Sequence, residues 1–131
     1  MKASRVNKFH EINRKRKEAH SLLMRLNSKV YKVFLEMEKV TFCDGALSKK
    51  NKELIATAIG IVTNCESCML WHIDQAVKEG ATNREILETI EVAMEMGIGP
   101  ATVNARFALQ VLEDCFGGLE THSEDITTNI H

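Results

Sequence analysis

The chain has 131 residues and a mass of 14.8 kDa, which is enough for one domain with a single hydrophobic core. Hydrophobic residues make up 44% of it and charged residues 27%, a globular composition that argues against a wholly disordered chain. No apolar run approaches the roughly 20 residues of a membrane span, and the N-terminus lacks the pattern of a secretion signal. We therefore expect a cytoplasmic protein without membrane contact, in which most of the four cysteines are reduced thiols.

The content of turn-forming residues favours an all-α fold. The chain contains one proline and seven glycines. A β-sandwich or β-barrel needs a turn signal about every 8–12 residues, and this chain has too few of them.

Charge is divided unevenly along the chain. Residues 1–32 carry ten basic and two acidic residues, a net charge of +8, whereas the remainder carries −9. Arg14, Lys15, Arg16 and Lys17 form a basic run that could attract nucleic acid or an anionic surface. No aromatic residues alternate with these charges, as single-strand binding would require. We therefore favour a solvated helix face that docks on the acidic remainder of its own chain or of a neighbour, and we do not expect nucleic-acid binding.

Hydrophobic periodicity and capping signals predict about six helices. A mostly polar first helix covers residues 5–26, and a second covers residues 28–41. The second helix repeats apolar residues at helical spacing, which predicts one buried face formed by Val30, Val33, Phe34, Met37 and Val40. A third helix begins at the capping residue Ser48 and ends near residue 62.

The second half of the chain continues the helical pattern. A fourth helix covers residues 65–79, with Thr63 or Asn64 as its cap. The sequence of residues 82–85 has the capping-box pattern and opens a fifth helix. Two glycines and a proline in residues 97–100 end that helix and begin a sixth.

These signals divide the chain into three regions. Residues 1–27 form a basic N-terminal helix, residues 28–116 form an all-helical core domain, and residues 117–131 form a polar tail.

One segment concentrates reactive side chains, namely Cys65, Cys68 and His72. In a helix that begins near residue 65, Cys68 and His72 lie about 60° and about 20° around the axis from Cys65, so all three share one face. The imidazole can approach Cys68, one turn before it. A helix start favours a thiolate, because unpaired N–H groups and the positive end of the dipole lie there. Two thiols with a base in reach suit redox chemistry, in which one thiol captures the oxidised sulfur of the other as a disulfide.

A carboxylate from the third helix can join this cluster. If the third and fourth helices form a tight antiparallel hairpin, Glu53 and His72 lie about 15 Å and about 12 Å from the turn, at nearly the same height. Glu53 would then orient the imidazole and accept its proton, directly or through water.

The spacing of these four residues resembles that of a known family. Glu53, Cys65, Cys68 and His72 are separated by eleven, two and three residues. This pattern is similar to the E-x11-C-x2-C-x3-H signature of AhpD-like alkylhydroperoxidases, within the carboxymuconolactone decarboxylase-like superfamily. The resemblance extends over residues 28–112.

The resemblance implies an all-helical oligomer, a trimer or a hexamer, that reduces peroxides with a dithiol. By position, Cys68 would be the peroxidatic thiol that forms a sulfenic acid, and Cys65 the resolving thiol and proton donor. His72 and Glu53 would form the proton relay. The implied partners are a small-molecule peroxide and an external dithiol or thiol-protein reductant, with no metal or other cofactor. Ser67 stands where well-studied members can carry a second histidine.

Other interpretations of the same residues stay open. His72 could be the general base of a decarboxylase-like lyase, the dithiol could serve a thiol–disulfide reductase, or the chain could be a non-enzymatic oligomeric binding protein. A zinc site would need a fourth ligand from Glu53, Cys43 or Cys115. Cys43 and Cys115 are otherwise expected to be structural thiols, and Trp71 a core or oligomer contact.

Overall fold

The computed structural model describes residues 2–117, and within that range the chain is all helical and contains no β-strand. The five helices are α1 (Lys2–Arg25), α2 (Lys29–Thr41), α3 (Lys49–Val62), α4 (Glu66–Lys78) and α5 (Asn83–Phe116). The predicted all-α fold class is therefore confirmed. None of the helices within residues 2–117 is long and apolar enough to cross a membrane. The predicted polar tail lies, from residue 118 onward, outside the described residues.

Helix α5 contains both the fifth and the sixth predicted helices. The two halves meet at Ile98, whose backbone angles, φ 51° and ψ −130°, are not helical. Pro100 follows in the first turn of the second half, where its missing N–H costs no helical hydrogen bond. The structure therefore has five helices instead of about six, because the fifth and sixth predicted helices are continuous across a kink.

Three helices begin at hydroxyl side chains that accept a backbone N–H from the first turn. Ser28 caps α2, Ser48 caps α3 and Thr82 caps α5, each with a hydrogen bond of 3.1 Å. In the reciprocal bond, the Glu85 side chain accepts the Thr82 N–H at 3.0 Å, which completes the capping box. The predicted caps at Ser48 and Thr82 are confirmed.

Helices α3, α4 and α5 enclose the core. Side chains with no exposed surface come from all three helices and include Ile61, Met69, Ile73, Ile86, Ile90 and Ala105. Three residues connect α3 to α4, so these two helices form a tight antiparallel hairpin across which facing side chains can meet.

Helix α1 packs across this core near its N-terminal end. Phe9 is 4% exposed, and its ring meets Phe107 of α5 edge-to-face at 5.5 Å between centroids. Arg5 forms an ion pair of 2.7 Å with Glu113. The basic helix therefore docks on the acidic remainder of its own chain, which is one of the arrangements that the charge distribution predicts.

The predicted buried face of α2 is wrong for the part of the chain that the structure describes. Within residues 2–117 no side chain of α2 is buried. The five apolar residues of that face, Val30, Val33, Phe34, Met37 and Val40, are 48–82% exposed. The reason is that α3, α4 and α5 enclose the core without α2, so the apolar periodicity marks a surface that a single chain leaves uncovered.

Candidate active site

The turn between α3 and α4 places Cys65 at the start of α4. Asn64 has φ 55°, a left-handed conformation that asparagine adopts more readily than most residues. The Cys65 N–H donates to the Gly60 carbonyl at 2.8 Å, and Cys65, with φ −102° and ψ 95°, is the N-cap of α4. The prediction that Thr63 or Asn64 caps this helix is therefore wrong, because both residues lie in the turn and Cys65 is the extended residue before the helix.

The two cysteines of the pair are bonded to each other. Cys65 and Cys68 form a disulfide with an S–S distance of 2.10 Å and a Cα–Cα distance of 5.2 Å, so the chain is in its oxidised dithiol form. The Sγ of Cys65 also accepts the backbone N–H of Cys68 at 3.2 Å. After reduction, a thiolate on Cys65 would lie at the helix N-terminus, where N–H groups and the dipole favour negative charge.

Helix α3 approaches this first turn of α4 closely because Gly60 has no side chain. A Cβ built on Gly60 would lie 3.2 Å from the Cβ of Cys68 and 3.4 Å from the backbone nitrogen of Met69. Gly60 is buried. This contact was not predicted, although a glycine inside a helical pattern is a signal of close packing.

The contact predicted between Glu53 and His72 is present. Nδ1 of His72 lies 2.6 Å from Oε2 of Glu53, and Glu53 is only 2% exposed. An ionised carboxylate can only accept, so Nδ1 carries the hydrogen and Nε2 is the nitrogen that can accept a proton. Glu53 thereby fixes both the orientation and the tautomer of the imidazole.

A lysine compensates the buried charge of Glu53. Nζ of Lys49 lies 2.9 Å from Oε1 of Glu53, one turn earlier on α3, and its side chain is 29% exposed. A buried carboxylate is tolerated when it is paired in this way. Lys49 and Glu53 also line a cavity of about 350 Å³. Lys49 was not among the predicted site residues, although a lysine four residues before a glutamate on one helix is a recognisable pair.

An aromatic ring covers one face of the imidazole. Phe42, which follows the end of α2, stacks on His72 with 5.1 Å between ring centroids and 26° between planes. Phe42 was not among the predicted site residues, because nothing in the local pattern indicates which distant ring it meets.

An open groove leads to the sulfur and the imidazole. This feature, which we call the Cys68 groove, has a volume of about 1050 Å³ and is bounded by α1, α2 and α4. Helix α4 contributes Ser67, Cys68, Trp71 and His72 to its lining. Trp71, expected as a core or oligomer contact, is half-buried. Of the two bonded cysteines, Cys68 is the one that a molecule in the groove would meet.

The remaining cysteines differ from the bonded pair. Cys43 is exposed, and its thiol donates to the Val40 carbonyl at 3.0 Å. Cys115 is half-buried, and burial, with Asp74 and Asp114 nearby, raises the pKa of its thiol to about 11. Among residues 2–117, no three or more histidine, cysteine or acidic side chains are grouped so that they could hold a metal ion.

Comparison with known proteins agrees with the four-residue signature. The Carboxymuconolactone decarboxylase family profile matches residues 28–111. The chain belongs to this family. Uncharacterized protein 4 of the cox locus of Paracoccus denitrificans is 45% identical over 93 residues, which cover 71% of this chain and 84% of that relative.

Solved structures of the Carboxymuconolactone decarboxylase family share the fold. A family protein of Legionella pneumophila superposes with a TM-score of 0.78 at 33% identity, over 82% of this chain and 96% of that one. A family protein of Thermotoga maritima, for which involvement in an antioxidative response has been suggested, superposes with a TM-score of 0.74 at 26% identity, over 82% of this chain and 91% of that one.

Proposed function

We propose that the protein is a thiol-dependent peroxidase that reduces hydrogen peroxide or alkyl hydroperoxides through a Cys65/Cys68 dithiol–disulfide cycle. The observation that carries this proposal is the buried Glu53–His72 pair, bonded at 2.6 Å, one helical turn from a cysteine that is already bonded to a second one. The antioxidative role suggested for the Thermotoga maritima relative is consistent with this chemistry.

In the first step, His72 removes the proton of the reduced Cys68 thiol. Glu53 holds Nδ1 and stabilises the resulting imidazolium, so Nε2 is the atom that takes the proton. The Cys68 thiolate then attacks the terminal peroxide oxygen, and the O–O bond breaks. The leaving alkoxide or hydroxide takes up a proton and departs as alcohol or water, while Cys68 becomes a sulfenic acid.

In the second step, Cys65 closes the disulfide. Its sulfur attacks the sulfur of the sulfenic acid, the S–O bond breaks and water leaves. The Cα–Cα distance of 5.2 Å lies inside the usual range for a disulfide, about 4.4–6.8 Å. The backbone at Cys65 and Cys68 therefore suits the bond that this step must form.

An external dithiol completes the cycle by supplying two electrons. Disulfide exchange is faster when the leaving sulfur is the more stable thiolate. Cys65 caps α4 and accepts the Cys68 N–H, which makes it the better leaving group. We expect the reductant to attack the Cys68 sulfur through the Cys68 groove, release Cys65 and then resolve the mixed disulfide with its own second thiol.

The direct test is anaerobic consumption of tert-butyl hydroperoxide with dithiothreitol as the electron donor. We expect Cys68→Ser to reduce turnover to the background of free dithiothreitol. Cys65→Ser, reduced and then freed of dithiothreitol, should consume about one peroxide per chain and leave a sulfenic acid, because no second thiol is present to form a disulfide with it. Cys43→Ser, which alters an exposed thiol, should keep full turnover and is the matched control.

The same variants separate the alternatives. A lyase that uses His72 as a general base would keep its activity in Cys68→Ser. A thiol–disulfide reductase would reduce a small disulfide such as cystine, yet consume no peroxide above background. Full peroxide turnover by Cys68→Ser would contradict the proposal.

We also propose that the chain forms a homo-oligomer, a trimer or a hexamer, through α2. Val30, Val33, Met37 and Val40 recur at intervals of three and four residues and are 59–82% exposed, as expected for a helix face that another chain covers. Light scattering coupled to size exclusion should give a mass of three or six chains. Met37→Glu should lower that mass, and a monomeric wild-type protein would contradict this part of the proposal.

A further inference from the structure

The Cys68 groove combines apolar walls with positive charge. Its α1 side carries Lys15, Arg16 and Lys17, and the acidic residue in its lining is Glu38 of α2. Apolar and aromatic side chains from three helices complete the surface, namely Ile12, Leu23, Tyr31, Phe34, Leu35 and Trp71. A site for hydrogen peroxide alone would need neither the length of this groove nor its cations.

The basic residues of the run on α1 differ in whether they are paired with a carboxylate. Arg14 is bonded to Glu11 and Glu18 on the same helix, and Lys15 lies 3.9 Å from Glu11. Within residues 2–117, the ion pairs of this run are those of Arg14 and Lys15, and Arg16 and Lys17 form none with a carboxylate. The two cations without an internal counter-ion both line the groove.

Arg16 is fixed in place without being neutralised. Its guanidinium carbon lies 4.4 Å from the centroid of the Trp71 ring, a cation–π contact. Its Nε is buried and has no hydrogen-bond partner among the described residues. Asp74 lines a second cavity together with Arg16 and Lys17, and it pairs with Lys78 at 3.0 Å. A buried N–H donor without a partner is costly, and no carboxylate of the described residues forms an ion pair with this guanidinium, so its charge is available to an anion in the groove.

The groove is elongated along α1. Its lining on that helix runs from Ile12 to Leu23, which corresponds to about 16 Å of helix axis. Near one end, Nδ1 of His20 lies 2.6 Å from the Tyr31 hydroxyl and ties α1 to α2. The volume of about 1050 Å³ lies at the upper end of small-molecule sites, which span roughly 300–1000 Å³. This shape suits an extended chain better than a compact molecule.

We infer that the substrate class is an amphipathic hydroperoxide: a long-chain fatty-acid hydroperoxide whose carboxylate binds Arg16 and Lys17 while its alkyl chain lies in the Cys68 groove. This inference rests on the proposed peroxidase function and names its substrate. The carboxylate would accept from the guanidinium in a charge-assisted hydrogen bond, and the chain would cover the exposed apolar wall. The peroxide group then reaches Cys68 and His72, where the O–O bond breaks and a hydroxy fatty acid leaves, with the two electrons supplied by the dithiol.

The kinetic test compares three hydroperoxides with dithiothreitol as the reductant: linoleic acid hydroperoxide, its methyl ester and tert-butyl hydroperoxide. We expect kcat/KM for the acid to exceed that for the methyl ester by about tenfold, the size of one charge-assisted hydrogen bond. Arg16→Gln should remove that preference, and it should lower kcat/KM for the acid by more than it lowers kcat/KM for tert-butyl hydroperoxide. Arg14→Gln, a cation one position earlier that is already paired, should keep the preference. Equal kcat/KM for acid and ester, or equal effects of the two substitutions, would overturn the inference.

A binding measurement tests the groove independently of peroxidase activity. Trp71 is the only tryptophan of the chain and lines the groove, so its fluorescence reports occupancy. Laurate, below its micelle concentration, should bind and change the emission, and Arg16→Gln should weaken its Kd about tenfold. Methyl laurate should bind the wild type and the variant alike. If laurate binds in this way while no peroxide is consumed, the peroxidase function fails and the ligand class stands. If laurate does not bind because a second copy of the chain fills the groove, the inference is overturned.

Discussion

The α3–α4 hairpin and the α1–α2 pair have opposite characters. The hairpin buries its functional groups: Glu53 is 2% exposed and Thr57 fully enclosed, and the Thr57 hydroxyl donates to the Glu53 carbonyl at 2.9 Å. In the α1–α2 pair, only Phe9 has a buried side chain among the described residues. The hairpin therefore fixes the reacting atoms, whereas the outer helices form walls whose side chains are mostly exposed. Four experiments test how far this division holds.

The largest expected effect concerns the buried relay. Glu53→Gln keeps the shape of the side chain but removes the charge that stabilises the imidazolium, so we expect kcat/KM for peroxide to fall about 100-fold. Stopped-flow measurement of disulfide formation gives the rate. The control is Glu85→Gln, which alters a glutamate that also pairs with a lysine, Lys50 at 2.8 Å, but lies away from the site. If both variants formed the disulfide at similar rates, Glu53 would not be part of the proton relay.

The second effect concerns the rates at which the two free thiols, Cys43 and Cys115, are alkylated. In the oxidised protein at pH 8, Cys43 should react with iodoacetamide first, because it is exposed. Burial and two aspartates raise the pKa of Cys115 to about 11, so about one thousandth of it is thiolate at pH 8. Its rate should rise about tenfold per pH unit up to pH 10. Peptide mass spectrometry measures both rates, and a Cys115 that is labelled as fast as Cys43 would show that the region near α1 opens readily.

The third effect tests the close approach of α3 to α4. Gly60→Ala puts a Cβ 3.2 Å from that of Cys68, so we expect a loss of roughly 1–3 kcal/mol in unfolding free energy together with slower disulfide formation. Urea denaturation measures the first change. Gly99→Ala is the matched control, since a Cβ there meets nothing within 4 Å. Equal stabilities of the two variants would show that the hairpin has room to adjust.

The smallest effect compares two identical caps. Ser48 on α3 and Ser28 on α2 each accept a backbone N–H at 3.1 Å. We expect Ser48→Ala to lower the free energy of unfolding by about 1 kcal/mol. Ser28→Ala should lower it by less, because α2 can fray without opening the core. Equal losses in urea denaturation would mean that α2 unfolds together with the hairpin, and the contrast between the two regions would disappear.

The part of the site that depends on regular helix geometry could be predicted from the sequence. The rise per residue is fixed, so counting from the turn places Glu53 and His72 at the same height, and their 2.6 Å contact agrees with that count. The capping residues Ser48 and Thr82 could be read for a similar reason, because hydroxyl caps have a strong and local preference.

The rest depends on contacts that local patterns do not contain. Cys65 acts as a cap through sulfur, which is outside the usual set of capping side chains. The apolar stripe of α2 identifies a face but not what covers it. Phe42 and Arg16 reach the site from other elements, and only the three-dimensional arrangement shows that their partners are His72 and Trp71.

The position of Cys65 couples the redox state of the cysteine pair to the hydrogen bond of a single backbone amide. Its sulfur both forms the disulfide and accepts the N–H of Cys68. When two electrons enter, that sulfur gains charge while its acceptor role continues, so the amide is held more tightly. Hydrogen–deuterium exchange at this one amide should therefore slow on reduction. Its proton resonance would report the fraction of molecules in a sample whose cysteine pair is reduced.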